Sequence, residues 1–156
     1  RPGEINESDY FFIEEYKFNE MQKNNEFLES AKVFDHYYGT PKKPIMDALD
    51  SGMDILFDID WQGTQQLMNS LQDDLIKVFV LPPSAKELER RLLQRNQDSD
   101  EIVKGRMSKA SNEISHYAEY DYIIINENFE ESLSKIESII IAEGLKGLVR
   151  LKFKIQ

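Results

Sequence analysis

The sequence predicts an α/β protein whose core is a parallel sheet with helices as crossover connections. Short apolar runs that resemble buried strands occur at residues 55–60, 77–81 and 122–126. Stretches with helical spacing separate these runs, and strands that alternate with helices are typical of a parallel sheet. A length of 156 residues with 40% hydrophobic residues is sufficient for a folded core.

The first half of the chain predicts two short helices and a strand. The spacing of apolar residues and the position of Gly and Pro give a helix at 14–23, a strand at 27–34, a turn at 37–40 and a helix at 44–50. Within the strand, Glu29 shares a side with Phe27, Ala31 and Val33, so a carboxylate lies where apolar groups lie.

The second half adds helices between and after the strands. They are predicted at 62–70, after a capping box at Ser84–Glu87, at 101–116, and after Asn128, which caps through Glu131. The last helix is predicted to bury one apolar face, formed by Leu133, Ile136, Ile140 and Ile141.

The composition excludes several kinds of site and partner. Without cysteine, the chain has no disulfide, zinc–thiolate site or thiol nucleophile. A net charge of -10 argues against a general nucleic-acid binder. No apolar run approaches a membrane span, and the first residues resemble no signal peptide. We therefore expect a cytoplasmic protein without a membrane or nucleic-acid partner. The sequence does not distinguish a monomer from a homo-oligomer.

Basic charge is concentrated in one segment of this acidic chain. Residues 1–60 hold 14 acidic and 6 basic residues, whereas residues 86–109 hold 7 basic and 5 acidic ones. Arg91 and Arg95 lie four residues apart on a predicted helix, so their guanidinium groups project together. Such a pair suits phosphate oxygens, but ion pairs with Glu87 and other acids on a solvated helix face explain the same spacing.

Acidic and amide side chains end two of the predicted strands. Asp58 and Asp60 lie on one face at the carboxyl end of the 55–60 strand, and Asn126 ends the 122–126 strand. Open parallel sheets bind ligands at this edge, so Mg²⁺ or a nucleotide is one interpretation. The other is that the two aspartates cap the following helix.

The first forty residues contain groups suited to a nucleotide phosphate and a purine base. Arg1 and the hydroxyls of Tyr10 and Tyr38 could hold a phosphate. A carboxylate beside a hydroxyl matches guanine, whose N1–H and N2 amine would donate to Glu29 and whose O6 would accept from Thr40. Aromatic residues at the rim of a core and a surface glutamate explain the same residues.

One nucleotide-binding motif is absent. None of the seven glycines is followed by lysine, so the chain contains no G-x-x-x-x-G-K-[ST] loop. We therefore expect this 156-residue chain by itself to show negligible kinase activity.

Many ordered motifs resemble guanylate kinase, in its bacterial form. They run from Arg1 to about Glu143 and comprise Arg1-Pro2-Gly3-Glu4, Asp9-Tyr10-Phe11-Phe12, Asn25-Glu26-Phe27-Leu28-Glu29, Tyr37-Tyr38-Gly39-Thr40, Asp58-Ile59-Asp60-Trp61-Gln62-Gly63, Leu81-Pro82-Pro83-Ser84, Arg106-Met107, Ala118-Glu119-Tyr120-Asp121-Tyr122 and Ile125-Asn126. The resemblance implies a P-loop nucleoside monophosphate kinase-like α/β fold. Such a fold has a parallel-sheet core with crossover helices, a small GMP-binding α+β lobe and a helical lid.

The resemblance also implies an activity and roles for individual residues. The family transfers the γ-phosphate of ATP to GMP with Mg²⁺, giving ADP and GDP. The resemblance implies that the GMP phosphate is held by Arg1, Tyr10 and Tyr38, and the guanine by Glu29 and Thr40. It implies that the nucleotides and the water shell of the metal face Asp58 and Asp60, without a direct protein ligand to the metal. It implies that three arginines of the lid and core, Arg91, Arg95 and Arg106, close on the phosphates during catalysis. It also implies that Asn126 and Arg91 bind ATP.

The implied division has a GMP-binding lobe at 1–43, a core at 44–84 and 117–156, and a lid with its flanking helix at 85–116. The chain departs from the family pattern in lacking the N-terminal strand and P-loop, and in having Gln94-Arg95-Asn96 where Gly-Arg-Gly is common. A non-catalytic guanylate-kinase-like module that binds phosphorylated peptides is the alternative. The residues implied to bind guanine and the arginines implied to close on the phosphates favour the enzyme, because a peptide-binding module does not require most of them.

Overall fold

The computed structural model describes residues 3–33, 36–71, 74–94 and 100–154. The chain folds into two compact units, residues 1–75 and 76–156. Arg1 and Arg95, two of the predicted site residues, lie outside the described residues.

The first unit combines helices with an antiparallel strand pair. Its elements are α1 (Glu15–Lys23), β1 (Phe27–Val33), β2 (His36–Pro41), α2 (Lys42–Asp50) and α3 (Trp61–Leu71). The predicted helices and the first strand are confirmed, with α2 beginning two residues earlier than predicted. Helix α2 ends at Ser51 and Gly52, where Gly52 adopts a left-handed φ of 83° that favours glycine.

The predicted turn at 37–40 is wrong, because these residues form β2. Strand β2 pairs antiparallel with β1, and Ala31 lies opposite Tyr38. Gly39 suggested a turn, but its actual role is to leave room for a ring. A Cβ at this position would lie 2.8 Å from Cδ1 of Phe27. The glycine therefore reflects close packing within a strand, which sequence alone does not distinguish from a turn.

A β-bulge in β1 lies directly beside a buried pair of residues on the two strands. Phe27 pairs with Pro41 and Glu29 with Thr40, so Leu28 is an extra residue in the ladder. Leu28 and Glu29 are both buried. The regular ladder that follows the bulge thus places a buried carboxylate directly opposite a threonine.

The predicted strand at 55–60 is wrong, because no described strand pairs with it. Its side chains still alternate as in an extended chain, with Ile55, Phe57 and Ile59 half-buried and Leu56 exposed. The described sheets are β1 with β2 and a second pair in the other unit. An apolar run favours extended backbone, but a strand also requires a hydrogen-bonding neighbour.

The second unit contains the predicted parallel pairing. Its elements are β3 (Val78–Leu81), α4 (Ala85–Gln94), α5 (Asp100–Ser115), a 3₁₀ turn (His116–Glu119), β4 (Tyr122–Ile125) and α6 (Phe129–Lys154). Strands β3 and β4 are parallel, with Val78 opposite Tyr122 and Leu81 opposite Ile125. The intervening helices make the crossover, as predicted. Just beyond the strands, the N–H of Asn126 donates to the carbonyl of Leu81 at 2.7 Å.

Helix α6 presents a different face from the one predicted. Asn128 caps it as predicted, since the N–H of Glu131 donates to Oδ1 of Asn128 at 3.2 Å. Three of the four predicted core residues are nevertheless exposed, namely Leu133, Ile140 and Ile141. Ser132 is buried instead, and Ile136 is half-buried. The helix carries apolar residues on more than one side, so periodicity alone does not decide which side packs. No helix in the described ranges is both long and apolar enough to cross a membrane.

Helix α4 begins at a serine cap whose removal should destabilise the second unit. The N–H of Glu87 donates to Oγ of Ser84 at 3.1 Å, which is the serine half of the predicted capping box. Replacement of Ser84 by alanine leaves this N–H without its acceptor, so we expect a loss of about 1 kcal/mol in the free energy of unfolding, measured in urea. Ser134→Ala, at an exposed helical position, is the control. Equal stability of the two variants would contradict the cap.

Candidate functional site

A buried carboxylate and a hydroxyl form a close pair in the first unit. Thr40 donates through Oγ1 to Oε1 of Glu29 at 2.6 Å. Only 5% of Glu29 is exposed, so the alternative that it is a surface glutamate is wrong. The pairing of Glu29 with Thr40 across the hairpin brings the two side chains together.

Burial affects the ionisation of this glutamate more than its hydrogen bond does. Desolvation raises the pKa of Glu29, and the charge of Asp60 raises it further, while hydrogen bonds from the Thr40 hydroxyl and backbone oppose the shift. A carboxylate that is costly to bury ionised binds well to groups that donate hydrogen bonds to it.

The raised pKa of Glu29 predicts a stability that falls as the pH rises. The folded chain holds the Glu29 proton more tightly than the unfolded chain, so stability is lost as pH increases from the ordinary to the raised pKa. Glu29→Gln cannot ionise, so its stability relative to wild type should increase as the pH rises from the ordinary carboxyl pKa through the raised one. Urea unfolding across this range measures the difference. Glu15→Gln, an exposed site on α1, is the control, and parallel pH profiles for wild type and Glu29→Gln would contradict the prediction.

Two of the predicted phosphate-binding residues lie together. The rings of Tyr10 and Tyr38 meet edge to face, with centroids 5.8 Å apart. Both side chains are partly exposed, at 45% and 39%. Tyrosine hydroxyls on neighbouring rings can donate hydrogen bonds to an anion. Tyrosines that only pack at the rim of a core use their rings and need no such ligand. The placement is compatible with both interpretations.

One of the two aspartates, Asp60, caps the helix that follows it. Asp60 accepts from the N–H of Gly63 through Oδ1 at 3.0 Å and from Nε2 of Gln62 through Oδ2 at 3.0 Å. It therefore caps the start of α3. Asp58 is exposed. No group of three or more acidic or histidine side chains within the described part of the chain is arranged to hold a metal ion.

In the second unit, Arg91 connects α4 to the end of β4. Its Nε donates to Oε1 of Glu87 at 2.7 Å, and Nη2 donates to the backbone carbonyl of Asn126 at 2.9 Å. The predicted pair of Arg91 and Asn126 is thus brought together. The ion pair with Glu87, given above as the alternative, is also present. Hydrogen bonds from Arg90 and then Arg91 lower the pKa of Glu87 to about 2.

The other second-unit residues have different surroundings. The side-chain Oδ1 of Asn126 accepts from the hydroxyl of the buried Ser132 at 3.2 Å. Arg106 is half-buried on α5. The guanidinium of Arg91 is held in one orientation by its contacts with Glu87 and the Asn126 carbonyl.

Sequence reasoning missed two residues that hold this geometry. Gly63 lies under the Glu29 carboxylate, and Gln66 binds the backbone of β1. Gly63 carried a usable signal, because a glycine inside a helical pattern often indicates close approach of another group. Gln66 carried none, because its contact joins residues far apart in sequence.

Comparison with known proteins identifies the family. A family model for guanylate kinase matches residues 1–143. The chain is 55% identical over 146 residues to a guanylate kinase of Rhodopseudomonas palustris, covering 94% of this chain and 67% of that protein. It is also 55% identical to a guanylate kinase of Paramagnetospirillum magneticum, covering 94% of this chain and 68% of that protein.

A solved structure is similar as well. The crystal structure of guanylate kinase from Anaplasma phagocytophilum has a TM-score of 0.78 and 37% sequence identity to this chain, covering 92% of this chain and 69% of that one. The family match over most of the chain and the high identity to these relatives mean that the chain belongs to the guanylate kinase family, as its ordered motifs predicted.

Proposed function

We propose that the chain binds GMP and supplies the GMP-binding residues and the arginines of the guanylate kinase reaction, in which the γ-phosphate of ATP is transferred to GMP to give ADP and GDP. Family membership supports the reaction class. The observation that carries the assignment of GMP is the buried Glu29 with the Thr40 hydroxyl 2.6 Å from it.

Guanine recognition would exchange one donor for others at Glu29. In the unliganded chain Thr40 donates its single hydroxyl proton to Oε1 of Glu29. Guanine brings N1–H and an N2 amine, which would donate to the two carboxylate oxygens. The Thr40 hydroxyl would then rotate and donate to O6. Every polar atom of the pair keeps a partner, which is what a buried site requires.

The same pair would reject adenine. Adenine presents an N1 lone pair where guanine presents N1–H. This lone pair would face a carboxylate oxygen of Glu29, and neither atom could donate a hydrogen bond to the other. A buried polar group left without a partner costs enough to discriminate strongly between otherwise similar ligands.

The phosphates would be held by tyrosine hydroxyls and arginines. Arg1, Tyr10 and Tyr38 would bind the GMP phosphate, and Asn126 would lie on the ATP side. Arg91, Arg95 and Arg106 would neutralise the transferred group. For Arg91, the contacts with Glu87 and the Asn126 carbonyl support this role, since a guanidinium fixed beforehand needs no reorganisation during the reaction.

The residues fit Mg²⁺ as a cofactor held largely by phosphate and water. Mg²⁺ keeps several waters when it is bound by substrate phosphates, and the carboxylates of the exposed Asp58 and of Asp60 would accept hydrogen bonds from those waters. Asp60, with Gly63 and Gln62 donating to it, would be held in a fixed orientation toward the metal's water shell. When bound, Mg²⁺ neutralises phosphate charge.

Three functional parts would cooperate in the reaction. Residues 1–43 would bind GMP, residues 85–116 would form a lid with its flanking helix, and the rest would form the core. A lid that closes would exclude water and align acceptor and donor phosphates, which supplies most of the catalysis needed for phosphoryl transfer. The acceptor is already an ionised phosphate oxygen, so no dedicated general base is required.

Calorimetric titration of the chain tests the assignment without requiring turnover. We expect GMP to bind and AMP to bind at least about 100-fold more weakly. Equal affinities for GMP and AMP would overturn guanine recognition by Glu29 and Thr40. Binding of a phosphoserine peptide in place of GMP would overturn the kinase assignment and favour the peptide-binding module.

A further inference from the structure

Gly63 lies between two carboxylates in the first turn of α3. Its N–H donates to Oδ1 of Asp60 at 3.0 Å. On its other side, a Cβ would lie 2.8 Å from Oε2 of Glu29 and 3.3 Å from Cβ of Ile59. A real Cβ does not approach an oxygen this closely, so the Glu29 carboxylate occupies space that only glycine leaves empty.

Gln66 fixes the backbone of β1 next to Glu29. Its Oε1 accepts from the N–H of Ser30 at 3.0 Å, and its Nε2 donates to the carbonyl of Ser30 at 2.8 Å. A side-chain amide here forms both hydrogen bonds that a neighbouring strand would form. Gly63 and Gln66 are three residues apart, so both face β1 from one side of α3.

We propose that α3 is a positioning element for the base-reading acid, in which Gly63 sets the place of the Glu29 carboxylate and Gln66 sets the backbone beside it. Gly63 is then a specificity-determining position that acts through Glu29 without touching the ligand. The inference rests on the proposed recognition of guanine by Glu29. One oxygen of Glu29 is held by Thr40 and the other lies over Gly63, so a displacement at Gly63 moves the whole carboxylate.

Gly63→Ala tests this by adding the one atom that the geometry forbids. We expect the Kd for GMP to rise by about tenfold, the loss typical of a hydrogen bond to a charged group. Inosine monophosphate lacks the N2 amine and so has one donor fewer for Glu29. We therefore expect the ratio of the Kd for inosine monophosphate to that for GMP to fall towards one. A merely structural defect would weaken both ligands equally.

The chain offers matched controls for the glycine and the glutamine. Gly144 lies within α6, and a Cβ there would meet nothing within 4 Å, so Gly144→Ala should leave both affinities unchanged. Gln66→Ala should also lower the preference for GMP, whereas Asn69→Ala, exposed on the same helix, should not. Thermal unfolding of each variant shows whether it is folded at the temperature of the titration.

A double-mutant cycle separates the possible outcomes. If Gly63 acts through the Glu29 carboxylate, Gly63→Ala should have no further effect on GMP affinity in a Glu29→Ala background. An equal loss in both backgrounds would overturn the inference, as would an unchanged preference for GMP in folded Gly63→Ala and Gln66→Ala. If Glu29→Ala itself leaves GMP affinity unchanged, guanine recognition by Glu29 is overturned as well.

Discussion

Replacement of Glu29 by alanine is expected to weaken GMP binding by about 2 kcal/mol or more, or about 30-fold in Kd. The variant leaves the N1–H and N2 amine of guanine without their acceptor at a position where only 5% of Glu29 is exposed. Isothermal titration calorimetry with GMP measures the change directly.

A glutamate elsewhere in the same unit provides the control for this measurement. Glu15 lies exposed in the first turn of α1, so Glu15→Ala should change neither GMP affinity nor the unfolding profile appreciably. The loss at Glu29 should also be selective for the base. If inorganic phosphate or ribose 5-phosphate lost affinity to the same extent as GMP, the carboxylate would be acting on the phosphate end of the ligand, and base recognition would be refuted.

Replacement of Leu67 by alanine is expected to destabilise the first unit by about 2–5 kcal/mol. Leu67 is 1% exposed, the lowest exposure of any large side chain in the described residues, and it lies on α3. The substitution leaves a cavity in packing that cannot fully collapse. Denaturant unfolding, followed by the fluorescence of Trp61, reports the loss.

The same substitution at an exposed leucine isolates the effect of burial. Leu56 is 88% exposed, so Leu56→Ala removes the same atoms without creating a cavity and should change stability by less than about 0.5 kcal/mol. Comparable losses at Leu56 and Leu67 would show that the core of this unit does not centre on α3. Because α3 also positions Glu29, Leu67→Ala should weaken GMP binding only where it begins to unfold the unit.

Local patterns predicted the elements whose formation depends on local interactions. Helix α1, helix α3 and the cap of α6 by Asn128 follow from spacing and side-chain capping within a few residues. The parallel pairing of β3 with β4 also follows, because a long connection containing helices leaves few other arrangements.

The failures share a different cause, since each depends on a partner distant in sequence. Gly39 looked like a turn residue because nothing nearby in sequence indicates that the Phe27 ring lies over it. Residues 55–60 have the composition of a strand, but strand formation also needs a neighbour to accept and donate hydrogen bonds. The packed face of α6 likewise depends on which side β4 contacts.

Chemical reasoning about hydrogen bonds paired Glu29 with Thr40, and the structure places these two side chains in contact. The edge of guanine selects a carboxylate beside a hydroxyl, and Glu29 and Thr40 are in contact although eleven residues separate them. The roles of Arg91 and Asn126 were assigned by resemblance, and their contact supports placing them together. Gly63 and Gln66 were missed because their effect is exerted through Glu29 and Ser30. A glycine in a helical pattern indicates close approach of some group without naming it, and Gln66 carries no signal of its contact.

The extra residue at Leu28 makes the hairpin respond differently to a deletion on each side of Glu29. Counted from the pair of Val33 and His36, the ladder is regular as far as Glu29 opposite Thr40, so loss of Leu28 would leave Glu29 opposite Thr40. Strand side chains alternate between faces, so loss of one residue between Glu29 and Val33 would instead move Glu29 out of register with Thr40 and turn its side chain to the other face. A chimera that exchanges β1 between relatives must therefore preserve the number of residues between Glu29 and Thr40 to keep the acid beside the hydroxyl.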